Sequence, residues 1–321
     1  MSANELVKRG ARYFMCFLQI IVVGVLRQKK DIVLYGTGFN SFSGHSKYRL
    51  LSVGSEDSYW VCSSREERVE VISLGYRAVL KYSISHFILA ARTKDVYITH
   101  NVSDVFPVKL YGWVVHNLWH GIPIKKIGFE SIVEREWIEK KLLIGEGLPY
   151  MDWDYVYAQN DYHKKIVINS FRVDKSKVVV SIPHSIDFIK RVSVQKLKGE
   201  KKIVLYVPTF RLDGSNSYVI SSSLKKILER FSLRDYKIMV KLHPLVSIDD
   251  ISLSQVTCVE KTYDVFELLG KCDELVSDYS SVIYDFFLIK NKKVFLIQDD
   301  IESYSKSIGG LHDIKIPHEI L

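Results

Sequence analysis

Several stretches of this sequence stop on a side chain that can do chemistry. Residues 114–119 run into His120-Gly121, and residues 177–182 into Pro183-His184. Residues 203–207 lead to Pro208-Thr209-Phe210-Arg211, residues 237–242 to His243-Pro244, and residues 275–277 to Asp278-Tyr279-Ser280-Ser281. A histidine titrates near neutrality, so it can take or give a proton at physiological pH. A guanidinium donates two parallel hydrogen bonds to a phosphate. Serine hydroxyls and unpaired N–H groups at a helix start bind anions. Lys125 and Lys126, just past Ile122-Pro123, add positive charge. Asp285 lies one helical turn beyond Ser281, where a carboxylate can accept hydrogen bonds from sugar hydroxyls. Taken singly, each has a structural reading: a core histidine, a solvated arginine, a helix cap. Taken together they suit a reaction on a phosphorylated substrate.

The elements that would position these groups alternate strand and helix. Residues 32–35 read as a strand running into Gly36-Thr37-Gly38, which is not a full dinucleotide-binding fingerprint because Asn40-Ser41 follows. Further strands are expected at 96–99, 114–119, 155–158 and 177–182, with helices at 65–70, 131–143 and 161–171. After the lysine-rich stretch 195–202, which reads as a linker, a second set follows. It has strands at 203–207, 237–242, 256–259, 275–277 and 294–297, and helices at 222–231, 265–269 and 282–289. This alternation predicts mostly parallel sheets with helices on both faces. In such sheets ligands bind outside the carboxyl ends of the strands, where the candidate residues fall. The expected division is an N-terminal segment at 1–30, one α/β domain at 31–195 and a second α/β domain at 196–321.

The 321 residues suffice for two such domains, and 47% hydrophobic with 26% charged residues excludes a disordered chain. The net charge of +8 fits nucleic acid, an anionic membrane surface or phosphorylated substrates as partners. No nucleic-acid recognition module is present. Cys16, Cys62, Cys258 and Cys272 are scattered, which suggests neither a zinc site nor a disulfide framework. No acidic cluster implies a bound metal, and no cofactor is expected. Residues 13–26 form a short apolar run between basic residues. A membrane-spanning helix needs roughly 20 apolar residues, so an interfacial segment on an anionic leaflet is expected.

Read in order, four motifs resemble the CDP-glycerol glycerophosphotransferase family of teichoic acid and capsular polymer synthesis. They are Trp119-His120-Gly121-Ile122-Pro123-Ile124-Lys125-Lys126, Tyr206-Val207-Pro208-Thr209-Phe210-Arg211, Lys241-Leu242-His243-Pro244 and residues 277–285 (SDYSSVIYD). The resemblance spans about residues 97–300. It implies two Rossmann-like domains facing a cleft, as in glycosyltransferase-B folds. It implies transfer of a polyol phosphate from a CDP-activated donor to a hydroxyl of a membrane-linked acceptor, such as a polyprenyl diphosphate or glycolipid. CMP leaves, and the work is done peripherally at the cytoplasmic face of the membrane. By similarity His120 is the general base, and His243 meets the donor phosphates and helps CMP depart. Thr209, Arg211, Ser280 and Ser281 hold the phosphates, Asp285 the ribose, and Lys125 and Lys126 supply positive potential.

The sequence departs from the family pattern in three places. Where members often carry Gly-Tyr-Pro-Arg-x-Asp, this chain reads Ser181-Ile182-Pro183-His184-Ser185-Ile186-Asp187, so an arginine has become His184. The sequence ends soon after Asp299-Asp300, where members continue to a further helix. The long N-terminal extensions of the polymerases are absent, which suggests a single-module, primase-like transferase. The alternatives are a nucleotide-sugar-dependent transferase or epimerase of the same fold, and a non-catalytic membrane-associated scaffold.

Overall fold

The computed structural model describes residues 10, 13–15, 17, 18, 21, 31–192, 201–243, 245, 246, 255–260 and 263–321. The apolar segment expected at 1–30 lies almost wholly outside them. Among the described residues no helix is long and apolar enough to cross a membrane. The chain divides into two compact units. The first holds the described residues up to His120 and Ile127–Ser185, and the second holds Gly121–Lys126 and Ile186–Leu321. The division expected at 195/196 is not the one found: the short segment after His120 and the chain from Ile186 onward group with the C-terminal elements.

The first unit is built on β1 (Ile32–Tyr35), β2 (Ser58–Cys62), β3 (Ala78–Leu80), β4 (Thr93–Ile98), β5 (Val114–Asn117), β6 (Tyr155–Ala158) and β7 (Val178–Val180). Among the described residues they form a seven-stranded sheet in the order β3-β2-β1-β4-β5-β6-β7. Every pairing is parallel. The strands are rich in β-branched and aromatic residues, and Leu34, Val96, Ile98, Val115 and Val156 are fully buried in one core. The crossovers are α1 (Gly44–Val53), α2 (Arg65–Ser73), α3 (Ile84–Ala91), α4 (Ile132–Leu143) and α5 (Asp161–Phe171). The starts of α2, α3, α4 and α5 are capped by side chains. Ser64 accepts from the Glu67 N–H, Ser131 from Glu134 and Asn160 from His163. Each such cap is worth about 1 kcal/mol.

A further helix, α6 (His184–Val192), follows Pro183 directly. The second unit carries β8 (Lys202–Val207), β9 (Tyr236–Val240), β10 (Thr257–Cys258), β11 (Glu274–Ser277), β12 (Val294–Leu296) and β13 (His318–Ile320). Their order, β10-β9-β8-β11-β12-β13, is that of a Rossmann sheet, and all pairings are parallel. Helices α7 (Asn216–Arg230), α8 (Val265–Lys271), α9 (Val282–Lys290) and α10 (Ile301–Ile308) cover it. Val204, Ile227, Val240 and Val276 anchor its core. In each sheet the strand order reverses once on leaving the first-formed strand: between β1 and β4, and between β8 and β11. Those two switch points are where an open α/β sheet leaves a crevice for a ligand.

Candidate active site

At the switch point of the first unit, β1 runs into Gly36-Thr37-Gly38 and β4 into Thr99-His100. The two threonine hydroxyls meet at 2.9 Å, and Asp104 accepts from the backbone N–H groups of Thr99 and His100 at 3.0 and 2.9 Å. Gly38 is required by close approach: a Cβ there would stand 2.7 Å from the His100 ring. His100 stacks on His120 with ring centres 4.3 Å apart, and Phe39 meets both rings edge-on.

The route to His120 is not the continuous strand expected from the sequence. β5 ends at Asn117, and Trp119 is left-handed with φ 56°. Such a conformation costs a non-glycine residue on the order of 1–3 kcal/mol. Two interactions offset it. The Asn117 Oδ1 accepts from the Trp119 N–H at 2.7 Å while its Nδ2 donates to the His100 carbonyl. The Trp119 ring packs against Trp153 and Phe171. The chain thereby turns out of the sheet and presents His120 beside the end of β4.

His120 Nδ1 lies 3.1 Å from the Thr99 carbonyl oxygen. A carbonyl only accepts, so Nδ1 carries the proton and the lone pair sits on Nε2. Burial, and then the neighbouring His100, lower the His120 pKa to about 4. The ring is therefore neutral at physiological pH, in the tautomer a general base needs.

In the second unit, Asp278 ties together the ends of β8 and β11. Its Oδ1 accepts from the Thr209 N–H at 3.0 Å, the Thr209 hydroxyl at 2.6 Å and the Tyr279 N–H at 2.6 Å. Its Oδ2 faces Arg211 Nη1 at 2.9 Å. Arg211 is 3% exposed, grips Asp300 through Nε and Nη2 at 2.7 and 3.2 Å, and lies over the rings of Tyr279 and Tyr304. Burial alone would lower its pKa, but the hydrogen bonds and charges of Asp300 and Asp278 outweigh it and the net shift is upward. Expected as a phosphate ligand, Arg211 is committed here to two carboxylates and fixes the loops around Thr209.

Ser280 and Ser281 stand at the start of α9, as expected. Ser281 makes no side-chain cap bond, and the Ser280 hydroxyl lies 3.5 Å from the Val282 nitrogen, at the limit of a hydrogen bond. Asp285 is buried on the first turn. Against this turn lies Gly121, with φ 115°; a Cβ there would approach the Ser281 hydroxyl to 2.7 Å and an Asp285 oxygen to 3.6 Å. Only glycine fits both the conformation and the space. The segment after it is held by Lys126 N–H to the Gly310 carbonyl at 2.9 Å and His312 N–H to the Ile124 carbonyl at 2.7 Å. The Lys125 ammonium sits 5.5 Å from the centre of the Tyr304 ring.

His243, past β9, is exposed and stacks on Phe210 with ring centres 5.3 Å apart. Its Nδ1 accepts from the Leu245 N–H at 3.3 Å, so in the neutral ring Nε2 is the donor. His120 and His243 thus hold opposite tautomers, one offering a lone pair and one a proton at Nε2. Within the second unit the fold brings together Thr209, Arg211, Ser280, Ser281 and Asp285 at the switch point, with Gly121 against them. Sequence reasoning missed Thr99, His100, Asp104 and Asp300. The signal for His100 was present, since it ends the run 96–99 just as His243 ends its own.

Residues 45–317 match the sequence profile described as CDP-Glycerol:Poly(glycerophosphate) glycerophosphotransferase. The chain belongs to this family. The teichoic acid glycerol-phosphate transferase of Staphylococcus aureus (strain NCTC 8325 / PS 47) is 27% identical over 261 residues, covering 73% of this chain and 64% of that protein. The teichoic acid glycerol-phosphate primase of Bacillus subtilis (strain 168) is 26% identical over 200 residues, covering 60% of this chain and 52% of the relative. The chain thus spans less than two thirds of the length of these curated relatives. A solved structure of the wall teichoic acid polymerase TagF superimposes with a TM-score of 0.71 at 17% identity, over 100% of this chain and 86% of that one, and establishes likeness of fold. The matched range spans His120, Arg211, His243 and residues 277–285, the motifs that carried the resemblance in sequence.

Proposed function

We propose that this family member transfers a polyol phosphate from a CDP-activated donor, CDP-glycerol first among them, to a hydroxyl of a membrane-linked acceptor in teichoic acid or capsular polymer synthesis. The acceptor oxygen attacks the phosphorus that bears the polyol. The bond from that phosphorus to the CMP oxygen breaks, and CMP leaves with the bonding pair. The acceptor proton passes to Nε2 of His120. His243 donates from its Nε2 to the departing phosphate. Ser280, Ser281 and the first-turn N–H groups of α9 hold donor oxygens, and Asp285 holds the ribose. Thr209, fixed by Asp278 and Arg211, completes that cradle, while Lys125 and Lys126 raise the local positive potential. Fixed donors aimed at phosphoryl oxygens carry most of the catalysis in such transfers.

The observation that carries this reading is the state of His120: neutral by burial and held by the Thr99 carbonyl in the tautomer of a base. The net charge of +8 and the apolar stretch at 13–26 support work at the cytoplasmic face of the membrane, peripherally bound. The test supplies CDP-glycerol, CDP-ribitol and UDP-sugars with a glycolipid acceptor and identifies the nucleotide released. CMP from a CDP-polyol is expected; release of UDP alone overturns the reading.

A further inference from the structure

The first unit holds a second polar recess at the ends of β5, β6 and β7. Its lining includes His45, Arg49, Tyr157, Gln159, Ser181 and His184. Arg49 reaches into it from α1. Its Nη1 lies 2.9 Å from His184 Nε2, its Nη2 donates to the Tyr97 hydroxyl at 3.0 Å, and its guanidinium lies 4.1 Å from the centre of the Tyr97 ring. The Arg49 Nε–H is shielded from solvent and has no hydrogen-bond partner. None of the contacts of Arg49 among the described residues is a carboxylate. The contrast with Arg211 is direct, because that guanidinium is neutralised by Asp278 and Asp300. The nearest carboxylate on this side, Asp95, is taken up by His116 at 3.0 Å, behind the Tyr97 ring. A half-buried cation that touches no carboxylate and keeps an idle N–H is costly unless an anion completes it.

The positive charge is brought to His184 from a different element, α1. We propose that the recess is a binding subsite for a phosphate group of the acceptor, with Arg49 as its cation and His184 as the side chain that orients the guanidinium. This rests on the transferase reading above. The acceptor is favoured over the donor because the recess lies on the unit that carries His120, and His45 in its wall is within electrostatic reach of His120. The phosphate could belong to a growing polyol-phosphate chain or to the diphosphate of a lipid carrier.

The test uses the full chain, titrated calorimetrically with inorganic phosphate and with glycerol 3-phosphate while saturating CMP occupies the donor site. Saturable binding is expected, weakened at least about tenfold by Arg49→Gln and largely regained in Arg49→Gln combined with His184→Arg, which moves the guanidinium across the recess. Arg49→Lys keeps the charge but loses the fork, and about threefold weakening is expected even if the glutamine variant does not fold. No saturable binding by the wild type, equal affinity in the Arg49 variants, or binding abolished by CMP overturns the proposal. In turnover, Arg49→Gln should raise KM at least about tenfold for acceptors bearing a phosphate and leave KM for CDP-glycerol nearly unchanged. Acceptors ending in a glycerol phosphate and acceptors carrying only the carrier diphosphate, compared side by side, show which phosphate the recess takes. A rise confined to CDP-glycerol overturns the assignment to the acceptor. If phosphate binds as expected but no CDP-polyol is turned over, the subsite stands and the transferase reading falls.

Discussion

At the scale of single residues, the proposed chemistry rests on two histidines held in opposite tautomers by one backbone group each. His120→Ala and His243→Ala should each lower turnover at least about a hundredfold, the usual effect of losing a general acid or base, with an unchanged melting temperature. Unchanged turnover in both variants would remove the roles given to them. The downward shift of His120 sets the pH dependence. Its folded pKa lies below the ordinary 6.5, at about 4, so the base form persists into mild acid. The acid limb of kcat/KM should therefore lie below pH 6.5; a limb at or above that value contradicts the assignment. His120 and His243 were legible in the sequence as strand ends. Their tautomers were not, because the partners that fix them are backbone atoms, among them the Thr99 carbonyl. The partners of Arg211 were hidden for another reason: Asp300 lies 89 residues away, and no local pattern pairs them.

At the scale of elements, the site depends on how strands end. Gly121→Ala puts a methyl group against the Ser281 side chain in a backbone region that alanine avoids. It should lower donor affinity and the melting temperature together, and normal values of both would show that the α9 turn can shift without consequence. Arg211→Ala leaves the nearly buried Asp278 and the partly buried Asp300 without their cation. Removing one partner of a buried pair costs about 3–5 kcal/mol. If chemical denaturation finds Arg211→Ala as stable as wild type while donor binding is lost, Arg211 contacts the donor and its carboxylate partners matter little. The strands were readable because β-branched runs bounded by turn residues have few other solutions. The end of β5 was misread by two residues, since an apolar Trp119 continues a strand pattern while its backbone has already turned over. Helix α6 was missed because Pro183 looked like the end of a strand. The isoleucines Ile186 and Ile189, spaced for one helix face and both nearly inaccessible, were the signal available.

At the scale of the whole molecule, the chain keeps several histidines out of water. His45, His86 and His163 are almost fully buried, and burial lowers their pKa values to about 3, 4 and 3. Unfolded, each titrates near 6.5. Between that value and the folded ones the unfolded chain binds more protons, so their contribution is complete above pH 6.5 and is lost as pH falls. Three such groups give a slope of at most about 4 kcal/mol per pH unit near pH 5. A melting temperature that falls steeply from pH 6.5 to 5 is expected, and a flat profile contradicts the burial of these rings. The α/β class and the family were legible at this scale because four short motifs recur in order along the chain. The burial of these histidines was not, since they come from α1, α3 and α5, far apart in the chain. The account as a whole turns on His120 as the base in polyol-phosphate transfer. Single-turnover release of CMP from CDP-glycerol, with acceptor present and protein in excess, tests it most directly. The wild type should release CMP in a burst that requires acceptor, and His120→Ala, equally folded, should do so at least about a hundredfold more slowly. Equal rates from the two proteins would contradict the central claim.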